Sequence, residues 1–146
     1  MNLTDHTSSF VAIAQTRLAE AGSDLTTIPI TLQTVLLVHS AQGIIDNGGL
    51  PFFFEKDWPN NLDYHLFSEA YRRIGSSDAA LHLDQAVAVF PFANPHLDSK
   101  RRIAFMTSLT EQHPFHVLSD SLCGDSTVWI NLTKFINTHI KDFQRA

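Results

Sequence analysis

The segment that follows Pro29 constrains this chain most. Leu32, Val35, Leu36, Leu37, Val38, Ala41, Ile44 and Ile45 recur at helical spacing and leave almost no polar side to the helix they predict. A helix that is apolar around most of its circumference cannot lie on a surface, so the rest of the chain has to wrap it. Pro29 suits its first turn, where the missing N–H would have had no partner anyway. At 146 residues the chain has the length of one domain with one core. The expectation is therefore an all-α fold, a single domain over residues 1–146 with about six helices around a central buried one.

The flanking segments carry narrower stripes. Phe10, Ile13, Ala14, Leu18 and Ala21 predict a first helix, opened by Thr7 or Ser8 and stopped by Gly22. Asn47, Gly48, Gly49, Leu50 and Pro51 read as a stop and a restart of the second, with one of the glycines at positive φ. Asn60 or Asn61 is expected to cap a third helix with Leu62, Leu66, Phe67, Ala70, Tyr71 and Ile74 in its stripe, ended by Gly75. Ser76 or Ser77 opens a fourth, which buries Ala80, Leu83, Val87 and Phe90 before Pro91. Asp98 or Ser99 opens a fifth using Ile103, Met106 and Leu109, and Asp125 or Ser126 opens the last, with Val128, Leu132, Phe135, His139 and Phe143 on one face. Residues 113–126 are the least readable, and no alternating strand pattern competes with these stripes.

Charge narrows the classes of partner. The net charge is −5, and all of the excess lies in the first 63 residues, where seven acids face only Arg17 and Lys56. Binding phosphate needs a cationic surface, which argues against direct nucleic-acid binding by that part. The single cysteine, Cys123, rules out an internal disulfide framework and reads as a small buried hydrophobe. His113 and His116 have a spacing that could serve a metal, but Pro114 separates them and no zinc signature is present, so neither metal nor cofactor is expected. His39 and His139 read as hydrogen-bonded core histidines. Lys100, Arg101 and Arg102 fall in the first turn of a helix, where a cation is unfavourable without a counter-charge such as Asp98. No nucleophile elbow, Walker loop or dinucleotide fingerprint occurs. The first residues lack a signal-peptide pattern and no apolar run reaches membrane-spanning length, so a cytoplasmic protein without a membrane partner is expected.

The most specific residues lie between positions 44 and 91. The run IIDNGGLPFFF, with an Asn-Gly-Gly turn before aromatics, is followed by EAYRRIGSSDAALHLDQAVAVFP, a helix ending in Ile-Gly and another ending in Phe-Pro. In these motifs and their order the chain resembles a bacterial family of uncharacterised domains that includes an acidic DNA-mimic protein, over roughly residues 28–143. The resemblance implies a dimeric, non-enzymatic protein that engages a DNA-binding partner in place of DNA.

The residues place the candidate partner surface in the same stretch: Asp46, Asn47, Gly48, Gly49, Phe52, Phe53, Phe54, Glu55, Asp57 and Asp63. Asn47, Gly48 and Gly49 serve either as a backbone device or as a loop whose amides meet a ligand. Three consecutive helical residues span about 200°, so Phe52, Phe53 and Phe54 cannot all face one core, and at least one is left for solvent or a second copy in a homodimer. The four carboxylates of the stretch could steer a basic protein, or could simply be solvated charges that keep the aromatics soluble. A small enzyme using histidine and carboxylate groups is the competing class, and an immunity or antitoxin protein is a special case of binding.

Overall fold

A computed structural model describes residues 3–144, which form seven α-helices and four short 3-10 turns, without strands among the described residues. The helices are α1 (Leu3–Glu20), α2 (Ile30–Glu55), α3 (Tyr64–Arg73), α4 (Ser77–Ala88), α5 (Ser99–Ser108), α6 (Pro114–Leu122) and α7 (Ser126–Thr138). The all-α expectation holds with one helix more than the sequence patterning resolved. The additional one is α6, in the stretch where Pro114 interrupts the pattern but serves as a first-turn proline, while the His113 ring accepts from the Phe115 N–H at 3.1 Å as the cap.

Helix α2 is the axis of the domain. It touches α1, α3, α5, α6 and α7, and α4 is held on the outside by α3 and α6. Leu32, Val35, Val38, Ala41 and Ile45 are fully enclosed, as the near-continuous apolar pattern requires. Phe53 and Phe54 extend that core into an aromatic cluster with Trp58, Tyr64, Phe67, Phe90 and Phe115. Full burial of each large apolar side chain contributes about 1.5–3 kcal/mol, so this one helix anchors most of the core. No helix among the described residues is long and apolar enough to cross a membrane.

Local chemistry sets the helix ends. Asp63, Asp98 and Asp125 cap α3, α5 and α7, each carboxylate accepting a first-turn N–H at 2.9–3.0 Å and placing negative charge at the positive end of the helix dipole. Some expectations are corrected. Asp63 rather than Asn60 or Asn61 caps the third helix, because both asparagines take left-handed angles in the preceding Pro59–Asn61 turn. Thr7 and Ser8 lie inside α1, where Thr7 is buried and bonds the Thr133 hydroxyl at 3.1 Å. Ile13, Leu66 and Ile103 face outward, since narrower stripes suffice for those helices. Cys123 is exposed, sitting just past the end of α6.

The helical geometry of α2 is broken once. Gly48 (φ −153°, ψ 15°) and Gly49 (φ 70°, ψ −169°) interrupt it, and Pro51 opens the second half directly, with no loop between. A Cβ on Gly48 would overlap the Phe52 ring at 2.2 Å, and one on Gly49 would meet the Ser119 hydroxyl at 2.5 Å. The Leu50 N–H, freed by the break, donates to that hydroxyl at 2.9 Å. Gly49→Ala therefore combines left-handed strain with a clash and is expected to destabilise by about 1 kcal/mol or more, whereas Gly43→Ala, where added volume meets nothing, should be neutral or stabilising by about 0.4–1 kcal/mol. Urea denaturation of both variants checks the contrast.

Candidate functional site

The stretch around the break sorts the expected partner-binding residues into two groups. Asp46, Gly48, Gly49, Phe53 and Phe54 are taken up by the interior or its hydrogen bonds. Asn47, Phe52, Glu55, Asp57 and Asp63 reach the surface.

Asp46 closes the first half of α2, where a carboxylate faces the negative end of the helix dipole and needs strong donors. It has three. Gln42 Nε2 and the Gly124 N–H donate to Oδ1 at 2.7 and 2.8 Å, and the Trp129 indole donates to Oδ2 at 2.8 Å. Gln42 is fully buried and carries the chain of bonds inward: its Nε2 also donates to the Leu122 carbonyl at 2.8 Å, and its Oε1 accepts from the Tyr71 hydroxyl at 2.9 Å. Burial, reinforced by the nearby Asp46 and Asp125 charges, drives the Tyr71 hydroxyl far above its ordinary pKa, so it stays a proton donor in this bond. The spine thus ties α2 to α3 and to the α6–α7 connection, with its donors and acceptors spent on one another.

An arginine from α5 closes the second half of α2. Arg102 is only 1% exposed although it lies in the first turn of α5. Its Nε donates to the Phe54 carbonyl at 2.7 Å, one terminal nitrogen to the Pro95 carbonyl at 2.7 Å, and the other to Asp57 Oδ1 at 2.8 Å. The cation therefore serves the negative end of α2 rather than the start of its own helix. Asp98, expected as a counter-charge, caps α5 and lies 3.8 Å from Arg101. Burial raises the adjacent Tyr64 hydroxyl to about 12, with Arg102 opposing and Asp57 adding to the shift.

On the surface, Phe52 is 52% exposed, its ring lying back over Gly48. Glu55 is exposed beside a shallow concavity lined by Pro51, Ile103, Met106, Leu109 and His116. Asp57 keeps most of its carboxylate in solvent while bonding Arg102. Some bases of the second half are engaged within the fold: Arg72 pairs with Glu69 at 2.9 Å and with Asp84, and Arg73 donates to the Thr34 hydroxyl at 2.9 Å, while Lys100, Lys134 and Lys141 are exposed and form no ion pair among the described residues. Glu55, Asp78, Glu111 and Asp120 are likewise exposed and form no ion pair among the described residues.

Gln42, Ser119, Trp129 and Arg102 were not singled out as functional positions from sequence. Gln42 has a legible signal, an amide set beside Val38, Ala41 and Ile45 of the apolar stripe, and Arg102 stands at a helix start where a cation is out of place. Ser119 and Trp129 have none, since an ordinary serine or tryptophan becomes a cap or a donor only through its placement.

The histidines divide by environment. His116 Nε2 bonds the Thr110 carbonyl at 3.0 Å and His139 Nδ1 bonds the Phe135 carbonyl at 2.8 Å. His39, half-buried, packs edge-to-face on Trp129 with ring centroids 5.6 Å apart, and burial lowers its pKa. No group of three or more metal-ligating side chains is close enough to hold an ion among the described residues.

A family model described as DMP19-like protein matches residues 26–139, from just before α2 through α7. No curated protein and no solved structure matches the chain.

The His39 environment gives a pH dependence with a definite sign. Above its ordinary pKa of 6.5 the imidazole is neutral in both folded and unfolded chains. As pH falls below 6.5 the unfolded chain takes up a proton that the folded site resists, so this residue contributes a loss of stability toward acid. Thermal denaturation from pH 8 to pH 5 is expected to show a shallower acid decline for His39→Gln than for the parent chain.

Proposed function

Because the chain belongs to the DMP19-like protein family, we propose that it is a protein-binding module that presents carboxylates to a basic, nucleic-acid-binding protein in the place DNA would take. The observation that carries this reading is the exposure of unpaired carboxylates on a chain with a net charge of −5. Arg102 is buried against α2 and Arg72 is held between two acids, while Glu55, Asp78, Glu111 and Asp120 stand exposed without ion pairs among the described residues. Lys56, Lys100, Lys134 and Lys141 are exposed without ion pairs among the described residues too, so the field comes from the surplus of carboxylates behind the net charge of −5. Such a field attracts a basic partner and repels nucleic acid.

The structural roles of Asp46 and Asp63 make them poor probes of this idea, since changing them disturbs a buried network and a helix cap. Glu55, Glu111 and Asp120 are better. The partner is recovered by affinity capture on the parent chain, and binding is then measured at low and physiological salt with a competing DNA duplex. The triple lysine variant should lose about tenfold or more in affinity together with most of the salt dependence. Unchanged, salt-independent binding, or a captured partner that DNA does not displace, would overturn the proposal.

Phe52 supports a second element of the reading, a homodimer. A half-exposed phenylalanine on the helix that organises the core gains from being covered by a second copy. Phe53 and Phe54 are committed to the interior, so Phe52 alone of the three would form the contact. Sedimentation equilibrium should give a dimer that Phe52→Ser weakens; a monomer at high micromolar concentration removes it.

A further inference from the structure

A concavity of about 160 Å3 lies where the second half of α2 meets α5 and α6. Phe115, fully buried, forms its floor, and the half-buried Met106 and Leu109 and the 44% exposed Ile103 form hydrocarbon walls. Pockets that hold a whole small molecule begin at about 300 Å3, so this one has the size for a single side chain of another polypeptide.

The polar groups of the lining share one bias. Glu55 carries an exposed carboxylate that forms no ion pair among the described residues. It is also the last residue of α2, at the negative end of the helix dipole, so the chain holds an anion where a cation is favoured. Thr107 Oγ1 donates its proton to the Ile103 carbonyl at 2.8 Å, which leaves the hydroxyl oxygen as an acceptor. His116 Nε2 bonds the Thr110 carbonyl at 3.0 Å. A carbonyl only accepts, so Nε2 holds the proton and the second nitrogen of the neutral ring is an acceptor as well. No lysine or arginine lines the concavity among the described residues. A carboxylate alone would attract any cation, but three acceptors set around hydrocarbon favour a cation with several donors and an apolar stem. Arginine has both: its planar guanidinium carries five N–H donors and is weakly hydrated, and its aliphatic stem covers apolar surface. Lysine offers a compact, strongly hydrated point charge instead.

We propose that this concavity receives one arginine side chain of the protein partner, its guanidinium at Glu55 and its stem against Ile103, Met106 and Leu109. The inference rests on the reading of the chain as a module that presents carboxylates, and it names the contact within that reading. The arginines with which a DNA-binding protein grips phosphates are the side chains it has to offer such a site.

The test uses the full chain and a peptide, so it needs no captured partner. The probe is the tripeptide acetyl-Ala-Arg-Ala-amide, titrated into the labelled chain and followed by proton–nitrogen correlation NMR. Counterparts carry lysine, or citrulline, which keeps the shape of arginine without its charge. The arginine peptide should shift the amides of Glu55, Thr107 and His116 saturably, the lysine peptide should bind more weakly, and the citrulline peptide at least about tenfold more weakly. Glu55→Gln keeps the shape of the rim and removes its charge, and should weaken arginine binding about tenfold or more. Thr107→Phe, at an exposed position of α5, fills the concavity and should abolish binding, with helical circular dichroism and thermal midpoint close to those of the parent. Absence of saturable shifts, shifts confined to other residues, or unchanged binding by Glu55→Gln overturns the site; equal binding of the lysine or citrulline peptide overturns the arginine. If Thr107→Phe fails to fold, Glu55→Gln still decides the matter. Failure here is distinguishable from failure of the mimicry. An arginine peptide bound at Glu55, with a captured partner that DNA does not displace, supports the site and overturns the mimicry; a DNA-displaceable partner that Glu55→Gln binds unchanged does the reverse.

Discussion

The structure depends on how one broken helix satisfies its backbone. Two glycines take α2 out of helical geometry in the middle of the core, freeing amides and carbonyls at a depth where an unpaired polar group costs about 1–3 kcal/mol. The observed partners come from far along the chain. Ser119 of α6 accepts the Leu50 N–H, and Asp46 beside the break receives Trp129 of α7 and the Gly124 amide, while at the end of the same helix Arg102 of α5 meets the Phe54 carbonyl. Each of these bonds also fixes the position of a neighbouring helix. The break is thus the point at which α6 and α7 are registered against the axis, which a continuous apolar helix could not do with such directionality, and the end of the helix registers α5.

The same arrangement explains which residues are left to act on the outside. A break accommodated by glycines lets Phe53 and Phe54 turn into the core while Phe52 turns out, and it brings Glu55 to the rim of the surface formed with α5 and α6. Arg102 at the end of α2 places a positive charge inside the fold against Asp57, while Glu55, Asp78, Glu111 and Asp120 face solvent without ion pairs among the described residues. Packing and surface charge are coupled here, because a cation used as a helix cap is no longer available to balance the exterior.

The residues that made the family recognisable are mostly structural when seen in place. Asp46, Gly48 and Gly49 belong to the break, and Phe53 and Phe54 to the aromatic core. A motif preserves what is geometrically demanding, and a left-handed glycine facing a serine hydroxyl tolerates few substitutes. Partner contacts are under no such constraint, so a family can keep this scaffold and vary its surface.

By itself the sequence determined the fold class, the central helix, the interruption at the glycines and most helix ends, because hydrophobic period, helix-stopping glycines and capping aspartates act within a few residues of themselves. It also determined that three adjacent phenylalanines could not share one face. Only the tertiary structure decided that Arg102 is buried, that Asp46 is a network residue rather than a surface charge, and that Cys123 is exposed. Those outcomes rest on pairings across 45 to 83 residues of chain, such as Arg102 with Asp57 and Trp129 with Asp46. No local pattern encodes which distant donor will arrive at an orphaned acceptor; that is settled when the helices pack.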